Sequence, residues 1–80
     1  MSHTPIKDAR PRAGDECFIC PAAGVPGVGS WWALVVSTVD TLTEGTMYLR
    51  VVPLDQVGSA DARVRTYFVR LSGLLVRRTA

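Results

Sequence analysis

Apolar residues in this chain fall in short runs, and several of those runs alternate with polar residues at every second position. Turn-forming residues bound nearly all of them, and Val is abundant within them. No window of a dozen residues carries a helical stripe. The pattern predicts five strands, at residues 16–20, 31–39, 46–52, 62–70 and 74–78.

The connections set the order of these strands in space. Residues 21–30 hold three Gly and two Pro, which predicts a long shaped loop without regular structure. Asp40 to Gly45 reads as a turn, and Pro53 ends the third predicted strand by removing a ladder donor. Leu71-Ser72-Gly73 is a brief break before the last. Such an order matches an all-β, five-stranded SH3-like small barrel, in which closure removes the exposed sheet edges. An OB-type barrel is the competitor, but residues 54–61 are too short and too rich in Gly and Ser for its usual helix. Residues 1–12, with His3, Pro5 and Pro11 and no apolar period, read as a disordered, flexible N-terminal arm. Residues 13–80 then form a single barrel domain.

Alternation assigns faces to the strands, because residues two apart share a side. Met47, Leu49 and Val51 form the predicted core side of the third strand, leaving Tyr48 and Arg50 outside. Val64, Thr66 and Phe68 are the expected core side of the fourth, with Arg63, Arg65 and Tyr67 opposite. If these strands are neighbours, Tyr48, Arg50, Arg63, Arg65 and Tyr67 share one exposed surface. Arginines interleaved with aromatic rings suit phosphate contact and base stacking, although an ordinary solvated strand face has the same composition. Trp31 and Trp32 are adjacent, so one indole enters the core and the other faces outward. The outward ring is either a binding anchor or is covered by the Pro/Gly loop or a second subunit.

Composition narrows the class. The chain has 80 residues, 48% of them hydrophobic, and its 22 Val, Leu, Ile and Phe are enough to form a core. The longest apolar run, Trp31 to Val36, is far short of a bilayer span, and the N-terminus lacks an apolar signal segment. A cytoplasmic protein without membrane contact is expected. The formal net charge of +2 hides an asymmetry. Residues 1–61 carry four basic and seven acidic side chains, a net of −3, whereas residues 62–80 carry five Arg and no acid, a net of +5. This points to a polyanionic or acidic partner.

Candidate chemistry is sparse. Cys17 and Cys20 form a C-x-x-C string, but on a strand residues three apart diverge, and neither a second pair nor a nearby His completes a zinc site. A redox motif would need a following helix, which is not predicted. The single His, His3, lies in the arm, so no nucleophile–His pair is held in place. Gly24, Gly27 and Gly29 precede a strand, whereas a phosphate-binding fingerprint precedes a helix. No catalytic residue, metal or cofactor is expected.

Three segments are similar to the MazF/PemK-like toxins: Gly14-Asp15 before an apolar strand, Ala33-Leu34-Val35-Val36-Ser37, and Val51-Val52-Pro53-Leu54. From the first to the last they span about half the chain. The resemblance implies an SH3-like barrel, usually dimeric, that cleaves single-stranded RNA without metal. In that family an Arg-Pro pair precedes the second segment and a Thr or Ser follows the third. Trp31-Trp32 and Asp55 stand at those positions. An indole cannot stabilise a phosphorane anion, and a carboxylate repels it.

The expected function is therefore a non-enzymatic interaction module, a homodimer, that binds nucleic acid or an acidic protein surface. Trp31, Trp32, Tyr48, Arg50, Arg63, Arg65 and Tyr67 are its candidate binding residues. The alternatives are a divergent endoribonuclease of the toxin type, or a phage- or mobile-element-borne inhibitory protein that plugs a larger assembly.

Overall fold

The computed structural model describes residues 5–7 and 9–78. Its strands are β1 (Ile6–Lys7), β2 (Glu16–Ile19), β3 (Trp31–Asp40), β4 (Thr46–Pro53), β5 (Arg65–Arg70) and β6 (Leu75–Arg77). They form one antiparallel sheet in the order β1-β6-β2-β3-β4-β5, that is, five main strands and a two-residue addition at one edge.

Register explains the core. Cys17 is opposite both Ala33 and Val76, Val35 is opposite Val51, and Met47 is opposite Val69. Directly opposed residues share a face, so these side chains form a single inner layer, and each is essentially inaccessible to solvent. Ile19, Leu49 and Leu74 complete it, and Ala23 and Val25 close it from the loop after β2. Pro21–Ala23 in that loop is a single 3-10 turn, with Gly24 at φ 86° ending it. The loop expected to lack regular structure thus holds one short turn. A second, Leu54–Gln56, follows β4.

The pairing shifts between Val35 and Ser37, where one extra residue of β3 opposes β4. The bulge separates two roles of the ten-residue strand. Its first half pairs with β2 on one side and β4 on the other; its second half extends with β4 alone.

Three expectations need correction. The sheet is open: among the described residues no ladder joins β5 to the opposite edge, so the edges are not removed by closure. The faces of β5 are the reverse of those expected. Val69 is inaccessible and Tyr67 packs on the core, while Phe68 and Val64 are 44% and 47% exposed. Met47 and Leu49 already face inward, and their opposite residues Val69 and Tyr67 must follow them. Finally, the paired strand begins at Arg65, and residues 62–64 form no ladder.

The stretch read as an arm touches the sheet at its described positions. Ile6 and Lys7 pair with Val76 and Leu75, Pro11 is buried, and Arg10 bonds Asp40 at 2.9 Å. The rest of that expectation, His3 included, falls on residues 1–4 and 8, outside the described residues.

Candidate functional site

A cleft of about 430 Å³ opens where β3 begins and β4 ends. Its lining comes from three places. Val28 belongs to the Pro/Gly loop, Trp31 and Trp32 start β3, Pro53 to Gln56 end β4 and form the 3-10 turn, and Arg65 starts β5. Pro53 opposes Ala33, which brings the turn beside the two indoles.

Trp31 occupies the inner side of the sheet but is only partly buried. Its indole Nε1 donates to the Val28 carbonyl at 3.1 Å, which satisfies the one polar atom of the ring and ties the loop to the strand. Tyr67 meets it edge-on, with ring centroids 5.8 Å apart. The Arg65 guanidinium lies 5.6 Å from the ring centre. Among the described residues no carboxylate lies within ion-pair distance of Arg65. Asp55 is exposed in the lining, and Gln56 Oε1 is buried without a hydrogen-bond partner.

Trp32 points to the other side. It packs on Phe18, its opposite residue in β2, at 5.1 Å between centroids, and Arg77 covers it with the guanidinium 3.6 Å from the ring. Arg77 is also paired with Glu16 at 2.9 Å. The outward indole is thus covered by β2 and β6. No second subunit is needed for that.

The single surface expected from alternation divides in two. Trp31, Arg65 and Tyr67 meet on the inner side. Tyr48 and Arg50 lie on the outer side with Phe68 and Thr66, their opposite residues, and Tyr48 contacts Phe68 edge-on at 5.4 Å. Arg63 is exposed just ahead of β5 and belongs to neither group. Val28, Pro53, Leu54 and Gln56 were not legible as site residues, because nothing in their types signals a cleft. Asp55 drew notice only through the toxin-like segment.

The charge asymmetry also resolves in space. Arg77 and Arg78 are taken up by Glu16 and Asp15. The Asp15 carboxylate is nearly buried and accepts from Arg78 Nε at 3.2 Å and from the Arg12 backbone N–H at 2.8 Å. Arg12, Arg50, Arg63, Arg65 and Arg70 have no carboxylate partner among the described residues, and all but Arg12 lie on or just ahead of β4 and β5.

Neither thiol is cross-linked in the structure. Cys17 and Cys20 are free and buried. Cys17 is pushed up from 9.0 to about 12, first by burial and then by the Asp15 carboxylate, against an opposing pull from Arg78. Among the described residues no cluster of three His, Cys, Asp or Glu side chains comes together.

No protein-family model matches this chain, and neither curated proteins nor solved structures yield a match. The toxin-like segments therefore assign no family.

Proposed function

We propose that the chain is a small SH3-like module, opened along one side, that binds single-stranded nucleic acid at the Trp31 cleft without cleaving it. The main strands run β6-β2-β3-β4-β5, the order such barrels use. Arg65 carries the reading: an unpaired guanidinium above a partly exposed indole, at the mouth of a cleft wide enough for a base. A base stacks near Trp31, its phosphate meets Arg65, and the exposed Asp55 carboxylate offers an acceptor to base amino groups.

Toxin-type RNA cleavage is a second reading, favoured by one observation. The cleft is built from Trp31-Trp32 and Pro53-Leu54-Asp55, where the toxin-like segments end. Asp55 and Arg65 are the charged groups of its lining, a carboxylate that can accept a proton and a guanidinium that can stabilise an anion, without an imidazole.

Fluorescence anisotropy of labelled single-stranded RNA and DNA of about 12 nucleotides, at low salt and with EDTA, tests both readings. Saturable binding with intact oligonucleotide is expected. RNA cut in EDTA would establish the second reading, and absence of binding at tens of micromolar would remove the first.

A further inference from the structure

We infer that β5 pairs antiparallel with β5 of a second copy, about a twofold axis through Thr66. The strand has a partner on one side only: each of its six residues opposes β4, and no ladder uses its other edge among the described residues. An open strand edge is a template for another strand.

The flanking residues select a second copy as the occupant. Residues 62–65 alternate apolar and charged and lead straight into β5, yet only Arg65–Arg70 finds a partner within the chain. Val64, just ahead of the paired part, is 47% exposed, and Phe68 is 44% exposed. They lie two positions either side of Thr66. Pairing about Thr66 sets Val64 of each copy opposite Phe68 of the other, Thr66 opposite Thr66, and Arg65 opposite Tyr67. Val64 thereby gains the cross-strand partner it lacks, and the pairing ends short of Arg70. No like charges face each other, and each guanidinium meets an aromatic ring.

Two neighbouring registers fail on the same strand. Centring on Phe68 requires the edge at Arg70, where the loop at Gly24 already stands; a Gly24 Cβ would lie 3.2 Å from Arg70 Nε and 3.7 Å from its backbone nitrogen. Centring on Tyr67 sets Val64 against Arg70 and Phe68 against Thr66, which leaves both apolar residues facing polar ones.

An axis perpendicular to the sheet keeps both inner faces on one side. Arg65 of each copy then borders Tyr67 of the other, and the two Trp31 clefts open on the same surface. Only this last consequence rests on the proposed nucleic-acid reading. The contact is a single strand pair, so the association is weak and concentration-dependent.

The test uses the full chain and no nucleic acid. In an antiparallel pair opposed Cα atoms are about 4.5–5.5 Å apart, within the range a disulfide spans. Oxidised Thr66→Cys is expected to cross-link to itself, and an equimolar mixture of Val64→Cys and Phe68→Cys to give the mixed dimer. Phe68→Cys alone is expected to stay uncross-linked. Sedimentation of the unmodified chain should show a reversible dimer, which Val64→Glu abolishes while leaving the folded spectrum unchanged. A chain monomeric up to about 1 mM overturns the proposal. So does a dimer whose cross-link forms at Phe68→Cys and not at Thr66→Cys.

Discussion

Arg77 holds its guanidinium 3.6 Å from the centre of the Trp32 ring, while Arg65 stands 5.6 Å from that of Trp31. Two neighbouring indoles thus each carry an arginine, on opposite faces of one strand. The first arginine is paired with Glu16 and partly buried; the second is exposed and has no carboxylate partner. The first pair holds β6 to β2 and β3. The second lines the open cleft proposed to bind nucleic acid.

This division makes the two arginines unequal under mutation. Arg77→Ala removes a close cation–ring contact and an ion pair together, and is expected to cost about 1–2 kcal/mol in urea unfolding. Arg65→Ala should stay within ~0.5 kcal/mol of the parent. Equal losses would contradict the distinction.

Binding should respond in the opposite sense. Arg65→Ala is expected to weaken oligonucleotide affinity by roughly five- to thirty-fold and to lower the slope of log K against log salt by about 0.7, one phosphate contact on a single strand. Arg77→Ala, compared below its unfolding transition, should leave that slope unchanged. Anisotropy titrations over a range of salt concentrations measure both.

Much of this arrangement is legible in the sequence, and the exceptions have physical reasons. Met47 and Leu49 are flanked by Thr46, Tyr48 and Arg50 and set the face that Val51 continues, and β3 and β4 each run one residue longer than the sequence predicts. In β5 both parities hold apolar residues, Phe68 on one and Val69 on the other, so alternation alone cannot choose between them. The register against β4 decides, and sequence does not display register. The bulge after Val35 leaves no mark in residue type either. Pro11 has no apolar period around it, and its burial depends on contacts distant in sequence.

Alkaline pH provides a test of the core. The Cys17 thiol ionises near 9 when unfolded and at about 12 when folded. The unfolded state therefore releases its proton first, and stability is full below pH 9 and falls as pH rises toward 12, by at most ~1.4 kcal/mol per pH unit. Cys17→Ala removes this component. The variant should be less stable than the parent at pH 7, and the gap should narrow between pH 9 and 11. A gap independent of pH would contradict the burial of Cys17.

Gly73 and Gly14 both have positive φ, at 89° and 92°. A Cβ at Gly14 meets nothing within 4 Å, whereas one at Gly73 would collide with the Ala22 carbonyl oxygen. Gly14→Ala is expected to cost about 1 kcal/mol from backbone strain alone. Gly73→Ala should cost at least ~2 kcal/mol, because the turn before β6 must also move away from the loop after β2. Thermal unfolding of the two variants separates strain from close approach.

The most direct test of the nucleic-acid reading is an amide and indole NMR titration of the isotope-labelled chain with a short single-stranded RNA. Shift changes should cluster at Val28, the Trp31 indole N–H, Leu54 to Gln56 and Arg65, and leave the Trp32 indole nearly unmoved. Changes confined to other surfaces, or no changes at saturating RNA, would contradict the account.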